Sequence, residues 1–274
     1  MQSRELPALC LLMDIPRFDL WYFFNLPIKL EGEYHGEGMM DSTIKGSQKP
    51  KILALIPAFN ESDHIAGVIK AVLPFAPVLV VDDGSRDNTS QIASDCGAQV
   101  LRQEPNQGKG AALLNGFKYA LQNDYDGVIT LDADGQHDPA EIPDFVNCFV
   151  ETKSDLIIGR RDFCKMPFPR NISNTIGTWL FSRAMQQYIP DNQSGYRLHS
   201  RRLVEAAITS REQGFEFEVE IILRAVLMGY TISWVPIQTI YAGEKSHIQP
   251  LRHMWHFFRI TARTRRIVRE HSSL

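Results

Sequence analysis

No run of about 20 apolar residues, the length needed to cross a bilayer, occurs in this 274-residue sequence. The longest early runs, Ala8 to Met13 and Leu20 to Leu26, are broken up by Asp14, Pro16, Arg17 and Asp19, and no export signal stands out. Cysteine is scarce: Cys10, Cys96, Cys148 and Cys164 lie far apart without a Cys-x-x-Cys pair, which excludes a zinc ribbon or a dithiol redox motif. They read as reduced packing residues of a cytosolic protein. Positive charge is not in surplus, since 29 Lys and Arg face 32 Asp and Glu, so binding of nucleic acid by the chain as a whole is not expected. There is no internal repeat, no low-complexity segment and no glycine-rich loop with Walker spacing, which argues against an NTP hydrolase. What remains is a composition with 44% hydrophobic and 22% charged residues, enough for one large domain with a tail.

The organisation divides into three. Residues 1–49 hold an aromatic cluster (Phe18, Trp21, Tyr22, Phe23, Phe24) and then a polar, glycine-containing linker. The aromatics suit either a tail packed on its own domain or a docking element. Residues 50–248 alternate strand and helix signals. Lys51 to Ile56 is an apolar run stopped by Pro57, and Ile65, Val68, Ile69, Val72 and Leu73 recur at helical spacing. Val78 to Val81 is a second strand; a short helix over about 88–96 ends at Gly97. A strand at Gln99 to Arg102, a helix over about 109–122 and a strand from Gly127 complete the series. Strands separated by helices predict a mostly parallel central sheet covered by helices on both faces, an α/β fold with ligands at the carboxyl ends of the strands. Residues 249–274 place Leu251, Met254, Trp255, Phe258 and Ala262 on one helical face, beside a stripe of Arg252, Arg259, Arg263 and Arg266. This amphipathic basic helix suits a membrane surface, where each arginine near anionic headgroups contributes about 1 kcal/mol, or packing on the domain with its arginines solvated.

The chemistry concentrates where the apolar run Val128, Ile129, Leu131 ends in Asp132-Ala133-Asp134-Gly-Gln136-His137. Two carboxylates one residue apart at a strand end, with the Gln136 amide oxygen, form an all-oxygen set suited to Mg2+ or Mn2+. A turn and helix cap would use the same residues. His137 suits a supporting or a surface role. Asp82-Asp83-Gly84-Ser85 is likewise a turn pattern, or a pair of acceptors for a base N–H or sugar hydroxyl. Asn106, Gly108 and Gly110 suggest close backbone approach near a helix start, with Lys109 adding positive charge.

These segments fall in an ordered series: Ile56-Pro57-Ala58-Phe59-Asn60-Glu61, Val81-Asp82-Asp83-Gly84-Ser85, Asn106-x-Gly108-x-Gly110, Asp132-Ala133-Asp134-x-Gln136-His137, Ile158-Gly159-Arg160 and Gln193-Ser194-Gly195-Tyr196-Arg197. The series resembles family 2 inverting glycosyltransferases, most of all the dolichol- and polyprenyl-phosphate sugar transferase branch. It extends from about Lys51 to Arg252, through Phe215-Glu-Phe-Glu-Val-Glu220 and Gly243-Glu-Lys245-Ser246. The resemblance implies a glycosyltransferase A-type fold and metal-dependent transfer from a GDP- or UDP-linked sugar to a polyprenyl phosphate at the cytoplasmic membrane face. By the same resemblance Pro57, Ala58, Asn60, Glu61, Asp82, Asp83, Lys109, Asp132 and Ala133 bind the donor, with Lys245 among the substrate residues. Asp132, Asp134 and Gln136 hold the metal, Asp134 counting also as catalytic.

On the acceptor side, Arg160, Gln193, Ser194 and Arg197 are expected in loops, with arginines matched to phosphate. A lipid phosphate is already an anionic nucleophile. A hydroxyl acceptor would instead need a base, for which Glu220, Glu218 or a site aspartate are candidates. Glu220 matches the last residue of the family's Phe-x-x-Glu segment, and Arg224 one turn later is its natural ion-pair partner. Transfer to a glycan or glycolipid hydroxyl is the same-class alternative; a non-catalytic nucleotide-sugar binding protein is the other, opposed by the intact Asp132, Asp134 and Gln136.

Overall fold

The computed structural model of the protein describes residues 49–163, 166, 170–209, 217–238, 265, 266 and 268. The aromatic cluster of the N-terminal extension and Lys245 lie outside the described residues. So does the expected C-terminal helix, apart from Arg265, Arg266 and Val268, which are helical; both arginines are exposed and Val268 is buried. Among the described residues no helix is long and apolar enough to cross a membrane.

The elements run β1 (Ile52–Ala58), α1 (Ile65–Val72), β2 (Val78–Asp82), α2 (Thr89–Asp95), β3 (Gln99–Arg102), α3 (Lys109–Gln122) and β4 (Gly127–Thr130). A 3-10 turn (Pro139–Glu141) leads into α4 (Ile142–Thr152), followed by β5 (Leu156–Arg161), α5 (Arg170–Met185), β6 (Arg197–Ser200), α6 (Arg201–Ala207), α7 (Phe217–Leu227) and β7 (Ile232–Ile237). The seven strands form one sheet in the order β3-β2-β1-β4-β6-β5-β7. All pairings are parallel except those of β6, which runs antiparallel between β4 and β5.

Strand alternation sorts the core onto the two faces. Leu53 and Leu55 of β1, with Leu79, Val81 and Val128, pack against Ala112 and Phe117 of α3 and against Leu203 and Ile222 of α6 and α7. Their neighbours Ile52, Ala54 and Ile56, with Val78, Val80 and Ile129, face Ile65 and Ile69 of α1 and Phe145 of α4. Both faces are therefore covered, as a largely parallel sheet requires. β1 continues through Pro57 rather than stopping before it. The β1–β4 ladder has ended at Leu55–Thr130, so the missing N–H of Pro57 falls on a side of the strand with nothing left to pair.

β1 is flanked by β2 on one side and β4 on the other, so the connections that leave the carboxyl ends of β1 and β4 run in opposite directions. A crevice opens beyond the carboxyl ends of such strands. Asn60-Glu61, Asp82-Asp83 and Asp132-Asp134 all sit at these ends.

Candidate active site

At the ends of β1 and β2 the polar residues build loops from one another. Asn60 takes a left-handed conformation (φ 57°), which asparagine tolerates better than most residues. Its N–H donates to Ser85 Oγ at 2.9 Å, and its Oδ1 accepts from the Arg86 N–H at 2.8 Å. Glu61 N–H donates to Thr89 Oγ1 at 2.8 Å. Asp82 is fully buried; its Oδ1 accepts from the Ser85 N–H at 2.9 Å and its Oδ2 from the Ser90 hydroxyl. Asp83 accepts from the N–H groups of Gln107 and Gly108 at 2.7 and 2.8 Å and from the Gln103 side chain. A carboxylate has about four acceptor positions, so these three bonds leave one of Asp83's over. Gly84 is required where it stands: φ is +77°, and a Cβ there would lie 3.2 Å from Asn106 N and Gln103 O. Beside these loops an open groove of ≈ 830 Å³ is lined by Phe59, Arg86, Arg102, Glu104 and Asn106, within the size range of small-ligand sites.

The second centre lies after β4. Lys109, the first residue of α3, places its Nζ 2.6 Å from Asp132 Oδ1 and 3.0 Å from Glu218 Oε1 of α7. Burial disfavours charge on Asp132, but the Lys109 ammonium beside it outweighs burial and holds the carboxyl at about 2. Burial also opposes the Lys109 charge, yet Asp132 and Glu218 keep that ammonium protonated well above the usual lysine range. Asp132 donates its backbone N–H to His137 Nδ1 at 3.2 Å, which leaves the imidazole proton on Nε2. His137 stacks on Tyr196 at 5.0 Å, and burial first of all pulls its pKa down, so it stands neutral behind Asp132. Asp134 Oδ1 accepts from the Gln136 N–H at 3.0 Å and closes the turn. Gly195 lets the Asp132 carboxylate lie against the backbone, since a Cβ there would sit 2.8 Å from Oδ2.

This arrangement fits a hard divalent ion. Among the described residues no three His, Cys, Asp or Glu side chains converge into a closed cage. What is present is an ionised carboxylate already carrying a cation, a second carboxylate and an amide two residues on. That is the incomplete oxygen set typical of an ion that keeps water and substrate phosphate.

The acceptor side departs from expectation. Arg160 lies in β5 and Arg197 in β6, not in loops. β6 is an interior strand, paired on both sides through Arg197 to Thr130 and Ile158. Arg197 is 1% exposed, and its guanidinium donates to three backbone carbonyls: Ser194 (2.7 Å), Glu218 (2.6 Å) and Asn192 (3.1 Å). Every arm is committed to the protein, so Arg197 does not stand as an acceptor clamp; it fixes the 192–194 loop to the start of α7. Arg161 makes a two-pronged pair with buried Asp191 (2.7 and 2.9 Å), which also accepts from the N–H groups of Gln193 and Ser194 at 3.0 and 3.2 Å. Gln193 and Ser194 are thus held in one rigid turn, and the Ser194 hydroxyl is buried without a hydrogen-bond partner. Glu220 pairs with Arg224 at 2.8 Å along α7. Glu218, not Glu220, reaches the Asp132 centre. Sequence reasoning had Glu218 only as one of several bases and passed over Asp191 altogether. The Asp191-x-Gln193-Ser194 spacing, which lets an aspartate accept from N–H groups two and three residues on, was the available signal.

The model of the glycosyl transferase family 2 domain matches residues 54–208, which take in most of β1, all of β2 to β6 and every residue just described except Glu218, Glu220 and Arg224 of α7. The chain belongs to glycosyl transferase family 2. It is therefore an enzyme, a glycosyltransferase, and it is similar to the polyprenyl-phosphate branch of that family. The polyprenol monophosphomannose synthase of Mycolicibacterium smegmatis is 31% identical over 222 residues, 74% of this chain and 81% of that protein. The undecaprenyl-phosphate mannosyltransferase of Micrococcus luteus is 32% identical over 205 residues, 68% of this chain and 82% of its own. Among solved structures, glucosyl-3-phosphoglycerate synthase of Mycobacterium tuberculosis, in complex with Mn2+, UDP and phosphoglyceric acid, superposes with a TM-score of 0.62 at 20% identity. That match covers 78% of the transferase and 77% of the other chain and establishes the shared nucleotide-diphospho-sugar transferase fold.

Proposed function

We propose that the protein transfers a sugar from a GDP- or UDP-linked donor to a polyprenyl phosphate, with inversion and with help from Mg2+ or Mn2+, at the cytoplasmic face of a membrane. The observation that carries this is the Lys109–Asp132–Glu218 cluster. Both of its carboxylates are tied to an ammonium, so neither is poised as a base, and a phosphate acceptor requires none. The named relatives act on polyprenol or undecaprenyl phosphate, which supports the same acceptor here.

In this reading the groove beside Phe59, Arg86 and Arg102 receives the nucleoside, with the remaining acceptor position of Asp83 turned to base or ribose. The loops are built before the donor arrives, because Asn60, Asp82 and Asp83 already fix them; little ordering is left for binding to supply. Asp132 and Asp134, with the Gln136 amide oxygen, would hold the divalent ion, which as a Lewis acid stabilises charge on the departing diphosphate. Neutral His137 and Gly195 keep Asp132 in place. The acceptor phosphate approaches the opposite face of the sugar, beside the Gln193-Ser194 turn, with Arg160 at the end of β5 as its cationic neighbour. Lys245 and the arginine stripe of residues 249–274 belong to the same proposal, as substrate contact and membrane contact.

A screen of GDP- and UDP-sugars with Mn2+, offering a short polyprenyl phosphate and the matching polyprenol in parallel, tests it by product mass. Sugar on the phosphate alone is expected. Product only on a hydroxyl acceptor would replace the reading with the hydroxyl-transfer alternative.

A further inference from the structure

We propose that Lys109 is an internal counter-ion that holds the place of the divalent ion: it neutralises Asp132 and Glu218 while no metal is bound, and leaves Asp132, keeping Glu218, when metal arrives. This rests on the metal-dependent reading above, and the experiment below separates the two. Three elements meet at this ammonium: the first turn of α3, the loop after β4 and the first turn of α7. Only one of the two carboxylates it touches belongs to the metal set. Glu218 has no other assigned task, and its side chain is 11% exposed. An uncompensated carboxylate that deep is costly, so the site holds a cation at all times.

Two cations on Asp132 Oδ1 repel each other. A metal ion at about 2.1 Å and an ammonium at hydrogen-bond distance from one oxygen would stand within roughly 4 Å of each other in a partly buried site. That repulsion favours the departure of one, and the lysine is the one built to leave. It hangs on a flexible four-carbon stem, while the Arg197 guanidinium holds the Glu218 carbonyl at 2.6 Å and pins α7. The lysine therefore moves and the helix stays. Once off Asp132, the ammonium is anchored only by Glu218, beside the metal loop, and has N–H groups free for a substrate phosphate oxygen.

Lys109 and the metal are then antagonists on Asp132, which a plain substrate-binding or structural lysine would not be. The test is Mn2+ titration of the full-length protein without nucleotide, read as free Mn2+ by electron paramagnetic resonance, with thermal melts of each variant with and without Mn2+. Lys109→Gln is expected to bind Mn2+ roughly tenfold tighter, an estimate that allows for solvent screening. Its melting point should fall without metal and recover with it. Glu218→Gln is expected to bind several-fold more weakly, because the ammonium loses its second anchor and stays on Asp132. Lys109→Met replaces the Gln variant if that does not fold. Folded Lys109→Gln and Lys109→Met proteins with unchanged or weaker Mn2+ binding would overturn the counter-ion role while leaving metal dependence intact. Undiminished transfer by wild type in excess chelator would overturn both.

Discussion

Two pairs of carboxylates stand at the ends of strands in one sheet, Asp82-Asp83 where β2 ends and Asp132-Asp134 just after β4, and they are held in opposite ways. Asp82 and Asp83 are 0% and 4% exposed, and most of their partners are backbone N–H groups and neutral side chains of adjoining loops. Asp132 is partly open, and its strongest partner is a flexible ammonium. Fixed amides turn a carboxylate into scaffold, because removing them means refolding the loop. A movable cation leaves it exchangeable. The same residue type in similar sequence settings is thus locked into loop structure in one place and held exchangeably in the other, and the nature of the partner tells them apart.

The sharpest way to break this contrast is to neutralise one member of each pair. Asp132→Asn is expected to leave the fold intact and lower turnover by roughly a hundredfold to a thousandfold, the scale seen when one preorganised electrostatic group is removed from an active site. Asp83→Asn should mainly destabilise, because an amide cannot accept all of the bonds from Gln103, Gln107 and Gly108. Donor saturation curves with urea unfolding on both variants decide it. Comparable unfolding losses in the two would erase the distinction.

How much of this could be read beforehand follows the same division. β3 and α3 appear with the bounds that periodicity predicts, and the other early elements shift by one or two residues, because local patterning and burial agree there. The Asp-x-Asp loop could be read as a candidate ligand set because its polar residues lie in one short stretch. Arg197 was misplaced because Tyr196-Arg197-Leu198 carries a charge in the middle of what is an interior strand; only the three carbonyls supplied by the 192–194 loop just before it and by the start of α7 make that burial tolerable. Glu218 and Glu220 differ by two positions on one helix, and which of them faces Lys109 depends on where α7 packs, which no local pattern encodes.

Arginines repeat the contrast on the acceptor side. Arg197→Met keeps much of the volume but leaves three buried carbonyls short of a donor, so a loss of about 3 kcal/mol in unfolding free energy is expected. Arg160→Met, at the half-buried end of β5, should cost little stability and act on acceptor saturation. Denaturant curves beside polyprenyl-phosphate kinetics test both; a stable Arg197→Met protein with an altered acceptor requirement would return Arg197 to the substrate. A smaller effect is expected from Gly195→Ala. Its new methyl must displace the Asp132 carboxylate, lowering turnover by about tenfold, which corresponds to about 1.4 kcal/mol, without comparable loss of stability. Unchanged turnover would mean that the position of Asp132 is not what Gly195 protects.

Glu141 extends the comparison to a carboxylate held by one oxygen alone. Its Oε1 accepts from the Gln238 N–H at 2.7 Å, while Oε2 is buried without a hydrogen bond. Burial, with Asp138 and Asp144 nearby, pushes its pKa from 4.5 up to about 7. The sign follows from linkage: a carboxyl whose folded pKa is raised favours folding when protonated, so its contribution is complete below about 4.5 and is lost as pH rises through about 7. Glu141→Gln keeps the acceptor for Gln238, cannot ionise and places an amide near Asp138 and Asp144. Discounted for its partial exposure, the gain over wild type should be about 1 kcal/mol at pH 8 and should shrink toward acid pH. Urea unfolding of both proteins at several pH values between about 4.5 and 8 measures that gap. A gap that stays constant across the range would mean that ionisation of Glu141 costs the fold nothing, and that this carboxylate has a partner as good as those of Asp83.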